Sequence, residues 1–512
     1  MSNSTSYSKL GYLGFKKETT CGVAVQPDVF AEIQDESIQT MYNLQPVEPI
    51  AGRRDARLRT VKDKITVEGS VNLFVDAKTI GYFLEGLLGE ATTTTLTAST
   101  MFQHVFTSQE SIETYTFDVK KAGYDYIFRY FGVHLAKGAF SQSDNKIMTA
   151  LDIQAMGSFT SARITTAASS GTSLLVDQTS GLTTDDTIQV LDKDDHSTVI
   201  AEYTITAIVS ETALTVSTIS VQLDQLDIVV IKKGTATYDI GENMIFVGGS
   251  DYLVGSKDPY PVDNASTIDA EDFTFEFEND LDIRHSASGC DFADRFPSAI
   301  NIKSFRATGS FTKFYETIAQ YEDLRNNQVI GTRMSSCGAT LDTNSAVAAT
   351  ATIGSGTDGV VTITSDTAGR ADEDINIKVN VAVDDTLTAV LSGNNITVSL
   401  ANSTTSKNTA TLVAGVIDAL SGVSATASGT GATLFAIAAL DKLNLGDVIS
   451  GRDATEKENL RISYPNTQYE VFGADLTEDD IINQEIPFIG NYDEDGYKET
   501  VRVVLRNGVS SY

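Results

Sequence analysis

Tryptophan is absent from this 512-residue chain, and cysteine, histidine and proline are scarce. The lack of tryptophan removes the flat aromatic platform expected of a polysaccharide-acting enzyme. The three cysteines, Cys21, Cys290 and Cys337, are odd in number and far apart, which argues against a disulfide framework and a CxxC zinc site. The four histidines, His104, His134, His196 and His285, show no metal-ligand spacing. Positive charge is also short. There are 37 Lys and Arg against 69 Asp and Glu, a formal net charge of −32. A chain this anionic repels nucleic acid instead of releasing counterions from its phosphates. No apolar run approaches the roughly 18 residues of a membrane span. The opening MSNSTSYSKLGYLG lacks the charged-then-apolar pattern of a secretory signal. No GxSxG, Walker or GxGxxG element stands in a suitable context, and the Gly/Ser turns SSGTS (169–173) and TIGSGTDG (352–359) lack the lysine of a phosphate loop.

Glycine, threonine and serine are abundant, a composition that favours β-structure with many polar turns. The length predicts two to four domains. Residues 1–164 open with a polar arm and continue with strands. In ITVEGSVNLFVD (65–76), Ile65, Val67, Gly69, Val71, Leu73 and Val75 share one face. The spacing predicts a helix over 77–89, because Ile80, Phe83, Leu84, Leu87 and Leu88 form one apolar stripe, with Asp76 as N-cap and Gly89 as stop. Residues 165–236 turn Thr-, Ser- and Asp-rich, with short alternating strands, and read as an inserted small β-domain. Residues 237–340 return to the first style, with a strand at 304–314 and a helix expected over 315–327. Residues 341–455 are poor in aromatics and read as a second inserted domain, β-rich with one helix over 408–422. Residues 456–512 resume the aromatic, charged style.

An internal echo runs through the chain. VEGSVNLF (67–74) matches ATGSFTKF (307–314), and a helix is expected after each. DIQAMG (152–157) matches EIPFIG (485–490), the strand ending near Phe140 matches LRISYPNTQYEV (460–471), and VFAEIQDES (29–37) matches DFTFEFEND (272–280). The order of elements suggests one fold repeated, with the second copy split between 237–340 and 456–512. Two copies per chain would let three chains supply a ring of six, a homotrimer with pseudo-sixfold symmetry.

GYLGFKKETTCGVAVQP (11–27), with its Gly-rich arm, Glu-Thr pair, Gly and Pro before the first strand, resembles the N-terminal signature of phage tail tube proteins. The VEGSVNLF strand followed by IGYFLEGLLG is similar to the family's next landmark. DLTEDDIINQEIPFIGNYDEDG followed by VRVVLRN is similar to its closing strands. The likeness covers roughly 1–164, 237–340 and 456–512. It implies a mainly β fold (α+β in detail), a barrel or sandwich with a flanking helix, whose strands surround a lumen and whose long early loop packs on the adjacent ring. It implies a structural virion protein without catalytic activity or cofactor. Such a subunit would assemble in the host cytoplasm into the stacked rings of a tail tube, and its acidity would suit a conduit through which DNA slides. Expected partners are the protein itself, a tape-measure protein during assembly, other tail proteins at the tube ends and DNA in transit. The inserted domains would face outward. The inner tube of a contractile tail or a related injection device is the near alternative, and a β-rich surface adhesin or surface-layer subunit the distant one.

Two sets of residues stand out. AGRRDARLRTVKDK (51–64) is the most basic stretch, with Arg53, Arg54, Arg57, Arg59, Lys62 and Lys64. It falls where the family's stacking loop falls, so an inter-ring contact ranks above a solvated loop, and nucleic-acid binding ranks last. In DFTFEFEND, Phe273, Phe275 and Phe277 point one way, and Asp272, Thr274, Glu276 and Glu278 the other. Glu32, Gln34 and Glu36 are expected to form a similar polar face earlier in the chain. An ordinary exposed strand face is the plain reading of these acids, and a lumen face that repels DNA is the functional one. A glycosidase pair ranks last, since no apolar pocket is indicated that would raise one carboxyl. LDKDDHS (191–197) lacks the Gly and Glu of a calcium loop and reads as a turn.

Overall fold

The computed structural model describes residues 11–512 except 48–58, 98–100, 122, 144–145, 237–250, 257–265, 269, 287–294, 315–321, 323, 327–329, 344–345, 370–374, 383, 393–394, 403–404, 432–439, 445–454, 471–482 and 495–497. The fold is mainly β, as expected. The first strands are β1 (Tyr12–Lys17), β2 (Val29–Ala31), β3 (Ile33–Glu36), β4 (Gln39–Val47) and β5 (Arg59–Phe74). Helix α1 (Ile80–Leu88) follows, then β6 (Thr92–Thr97), β7 (Met101–Thr107), β8 (Tyr115–Lys120), β9 (Phe128–Ser143) and β10 (Lys146–Phe159). The alternation read in β5 holds. Ile65, Val67, Val71 and Leu73 are buried, and the last three share a core cluster with Ile80, Phe83, Leu84 and Leu87 of α1. The Asp76 carboxylate accepts the backbone N–H groups of Lys78 and Thr79 at 2.8 and 2.9 Å in the turn that leads into α1, but the helix begins later than expected and its N-cap residue is Thr79, not Asp76. Gly89 ends the helix at φ +107°, with its N–H on Glu85 O.

Next come β11 (Ala162–Arg163), β12 (Gly171–Leu175), β13 (Thr187–Leu191), β14 (Val199–Ser210), β15 (Ala213–Ile219) and β16 (Ile228–Ile231), which form their own six-stranded sheet around a separate apolar cluster. Tyr12 of β1, Ile127 just before β9 and Phe159 of β10 share that cluster. Strands β17 (Asp251–Ser256), β18 (Ser266–Ile268), β19 (Ala270–His285), β20 (Pro297–Phe314) and β21 (Ile330–Thr343) rejoin the large sheet. The helix expected over 315–327 lies largely outside the described residues, but Glu322, Leu324 and Arg325 are helical. A further cluster covers β22 (Ala348–Gly354), β23 (Val360–Ala368), β24 (Asn376–Val381), β25 (Thr388–Ser392), β26 (Asn395–Leu400), helix α2 (Ala410–Asp418) and β27 (Val423–Ala427). Strand β28 (Leu440–Asn444) pairs with β24. The Thr409 side chain caps α2 by accepting from Leu412 N. The last strands, β29 (Thr455–Tyr469), β30 (Asn483–Asn491) and β31 (Arg502–Asn507), lie in the large sheet.

Within the large sheet, two sets of strands pair in the same order. β1 meets β2 and β8, and the sheet runs on through β9, β10, β5 and the β3–β4 pair. β17 meets β18 and β21, and the sheet runs on through β29, β30, β20 and β19. The irregularities match as well. A bulge between Tyr115 and Phe117 of β8, facing Val133 and Tyr130, has its counterpart between Ile330 and Thr332 of β21, facing Thr467 and Tyr464. A bulge between Ile33 and Asp35, facing Leu73 and Asn72, has its counterpart between Ala270 and Asp272, facing Lys313 and Thr312. A Cβ on Gly69 would lie 2.7 Å from Ser37 O, and one on Gly309 would lie 2.5 Å from Thr274 O. The Gly-Ser echo therefore marks a place where a neighbouring backbone leaves no room for a side chain.

Aligned on those glycines, the ladders correct two matches read from the sequence. Ile153 lies opposite Gly69 and Phe488 opposite Gly309, so Ile153 corresponds to Phe488, two residues along from Ile486. A shift of two keeps the same face of the strand, so the alternation could not reveal it. Asp35, not Val29, stands where Asp272 does.

Candidate assembly surface

The two strand sets meet edge to edge. β9 pairs antiparallel with β19 from Thr274↔Ser141 to Glu278↔Lys137. The alternation of β19 explains why this joint holds. Its inner face carries Phe273, Phe275 and Phe277, all buried in the core, and Phe277 packs on Phe140 of β9 with ring centroids 5.5 Å apart. Asn279 is buried and donates to Leu87 O and Leu135 O at 3.0 and 3.1 Å, tying β19 to α1 and β9. On the outer face Lys137 Nζ pairs with Glu276 Oε2 at 3.0 Å. Equivalent tyrosines brace each set. Tyr130 Oη donates to Ile38 O, and Tyr464 Oη lies 3.0 Å from Glu276 O and Thr308 O.

The outer face of the joined sheet is largely polar and carries several acids beside Lys137 and Arg306. Asp272, Glu276 and Glu278 share it, as expected, and the ladder adds Glu68 of β5, Asp152 of β10 and Glu485 of β30. An open groove of about 520 Å³ crosses the joint here, lined in part by Glu68, Lys137, Asp152, Glu278 and Asp280. Glu36 is not on this face. It lies opposite buried Val71, pairs with Lys121 at 3.3 Å and accepts from Ile38 N. The bulge between Ile33 and Asp35 reverses the parity of the strand, so Asp35 takes the outer position and accepts from Asn72 Nδ2 at 2.7 Å. Glu32 is exposed between β2 and β3.

Of the basic stretch, Arg53, Arg54 and Arg57 lie outside the described residues. Arg59, Lys62 and Lys64 belong to β5 itself, which begins earlier than its apolar alternation suggests. Arg59 lies opposite Val47 and Lys62 opposite Leu44, and Lys64 is exposed. Tyr42, Leu44 and Val61 are exposed large apolar residues on the same β4–β5 hairpin.

Two buried clusters escape sequence reading. Glu18, in the Glu-Thr pair of the N-terminal signature, accepts from Gly22 N, Thr114 Oγ1, Thr116 Oγ1 and Gly132 N at 2.8 to 3.1 Å. It fastens the arm onto the β8–β9 bulge. Burial pushes its carboxyl up, against the four hydrogen bonds that lower it. Arg129 is 1% exposed and bridges Asp118 of β8 and Asp186, just before β13 of the six-stranded sheet, with contacts of 2.6 to 3.1 Å. Burial opposes its charge, but the two carboxylates outweigh burial and keep the guanidinium protonated. No local motif announces a contact between residues 57 apart.

The acids of LDKDDHS form a turn. Asp192 Oδ1 accepts Asp194 N, and Asp195 binds the Ser197 and Thr198 hydroxyls. Among the described residues no group of His, Cys, Asp and Glu is placed to hold a metal ion, and no helix is long and apolar enough to cross a membrane.

A mainly β chain whose two strand sets join edge to edge, with acids along the outer strand face, has the makeup of a structural protein. Residues 8–241, somewhat less than half of the chain, match the family model described as phage tail tube protein. The match supports a phage tail tube protein, a structural component of the phage tail. No curated protein matches it.

Proposed function

We propose that the chain carries the tube fold twice, and that three chains close a ring with pseudo-sixfold symmetry whose stacking builds a conduit for DNA. The domain division goes with this reading: a first copy at 1–164, an inserted β-domain at 165–236, a second copy at 237–340 with 456–512, and a second inserted domain at 341–455. The observation that carries it is the β9–β19 joint, a seam between two similar strand sets inside one chain. The matched bulges and the paired Gly69 and Gly309 clashes support the duplication.

Among the described residues the sheet β4-β5-β10-β9-β19-β20-β30-β29 ends on β4, which pairs with β5, and on the last residues of β29 beyond Thr467, the earlier part of β29 being paired with β21 and β31. Three such sheets, with strands about 4.8 Å apart, would close a barrel with a backbone diameter on the order of 37 Å before tilt widens it. Barrels of that size enclose a channel instead of a packed core. The acidic outer face would line it and repel passing phosphates. The basic stretch, Arg53 to Lys64 on and beyond β5, would meet acidic neighbours in the next ring, and the inserted domains would face outward. Tape-measure and tube-end proteins are the further partners of this reading.

Electron microscopy of the purified protein tests it. Hollow tubes built of three-chain rings are expected, and rings of six full-length chains would refute the duplicated arrangement.

A further inference from the structure

Equivalent stretches of the two strand sets receive their next strand from different sources. Tyr130 and Tyr464 correspond, and the ladders running back from them show no shift, so Phe128 stands where Ile462 does. Two residues further back, Tyr126 stands where Leu460 does. Leu460 lies opposite Leu505 of β31, and Tyr126 lies opposite Lys232, which directly follows β16. Both pairings are antiparallel. Ile127 N donates to Ile231 O at 3.1 Å, and Lys233 N donates to Asp125 O at 3.0 Å. The correspondence extends one strand further. β31 pairs on its other side with β7, Val504 opposite Val105, and β16 pairs with β13, Ile231 opposite Ile188. The end of the 165–236 module therefore does for the first set what β31 and the β6–β7 hairpin do for the second.

The origin of that hairpin matters. β6 and β7 belong to the first set, so the β7–β31 ladder is a second tie across the joint, beside the β9–β19 pairing. The same tie between chains would need a hairpin after the helix of the second set and a bare strand edge ahead of β9. Among the described residues neither condition is met. Residues 326–329 alone separate Arg325 of that helix from Ile330 of β21, too short a stretch for two strands and a turn. The edge ahead of β9 is filled by Ile231 to Lys233.

We propose that the 165–236 module is a permanent cap on the first strand set: it fills a strand edge into which another chain could insert its own β31, and so confines contact between chains to the sheet that closes the ring. The proposal rests on the ring reading above and deepens it. The packing is that of a fixed part of the wall. Tyr12, Ile127 and Phe159 share the apolar cluster of the module, Arg129 reaches Asp186 at 2.6 Å, and Tyr12 Oη accepts from Gly234 N at 3.0 Å. The apolar cluster of the 341–455 module, by contrast, consists of residues between Ala349 and Ala427. An uncovered strand edge recruits strands from other chains, and exchange of like elements between protomers is a common failure of repeated folds. The two sets are alike enough that β31 of one chain would fit the first set of another, and the cap removes that option.

The test uses the full chain with Cys21, Cys290 and Cys337 replaced by serine. Tyr126→Cys with Lys232→Cys places two thiols across a non-hydrogen-bonded antiparallel pair, within disulfide reach. Oxidation is expected to close the bond within one chain, and the oxidised protein should form as many tubes as the reduced one. Tubes lost on oxidation and regained on reduction would overturn the cap, because assembly would then need that edge. Amide exchange on the unaltered protein is a second measurement that needs no variant. The Ile127 amide should be protected in the free subunit and in tubes alike, and unprotected exchange in the subunit would overturn the cap and leave the ring reading standing. Lys233→Pro removes the donor to Asp125 O; it should cut the protection of Ile127 roughly tenfold and raise the share of irregular oligomers about threefold. An unchanged oligomer distribution in Lys233→Pro would overturn the guarding role. Absence of rings from the unaltered protein would overturn the ring reading, and the Ile127 amide would then decide the cap by itself.

Discussion

At the scale of single residues, two positions show how backbone crowding and buried charge hold this fold. Gly69 and Gly309 face the backbone of the neighbouring strand, where an added Cβ would lie about 2.5 Å from main-chain atoms. A main-chain neighbour cannot swing aside as a flexible side chain can. Gly69→Ala and Gly309→Ala should each destabilise by about 1–3 kcal/mol, read as a lower urea midpoint; an unchanged midpoint would mean that the strands shift freely. Arg129 poses the opposite problem. Removing it by Arg129→Met leaves Asp118 and Asp186 buried without their cation. A loss of about 3–5 kcal/mol is expected, and adding Asp118→Asn and Asp186→Asn should recover part of it. Equal stability of Arg129→Met and the parent would show that the cluster contributes nothing.

At the scale of elements, strand β31 staples the end of the described chain onto its beginning. It pairs with β29 on one side and β7 on the other, and Tyr512 packs against Tyr82 and His104. His104 sits at this staple, within 2.8 Å of the Thr93 hydroxyl and with Nε2 2.9 Å from Val509 O. A carbonyl cannot donate, so the ring donates from Nε2; in the neutral form it accepts from the Thr93 hydroxyl at Nδ1. Burial pushes its imidazole below the ordinary range. The stability that neutral His104 contributes is therefore fully present above about pH 6.5, the unfolded value, and is lost as pH falls through the lower folded value. The protection factors of amides in β31 and β7 should fall between pH 7 and pH 5, and His104→Gln should flatten that response. Protection factors independent of pH in the parent would count against it.

At the scale of the whole molecule, the charge of −32 needs a location. Asp272, Glu276 and Glu278 lie on the same sheet face as Glu68 and Asp152, which suits a lining that keeps DNA off the wall. Glu68→Gln with Glu278→Gln should leave tube length unchanged and slow DNA ejection from the assembled phage; unchanged ejection kinetics would argue that this face is not the lining. Charge reversal at Arg53 and Arg54 should shorten or abolish tubes while the circular dichroism of the subunit stays the same. Tubes of normal length would remove the basic stretch from the ring contact.

Periodicity alone determined the local elements: the buried face of β5, the apolar stripe of α1 and the three phenylalanines of β19. Each depends on residues two, three or four apart, so a short window contains the whole signal. The family was legible in the arm around Glu18 and in the order of the motifs. What only the tertiary structure decided was parity and partnership. The bulge at Ile33 and Asp35 turned Glu36 inward and Asp35 outward, because one extra residue flips every side chain after it. The Arg129 cluster and the β9–β19 seam join residues tens to more than a hundred positions apart. Such contacts are chosen by the packing of complete sheets and leave no mark at short range.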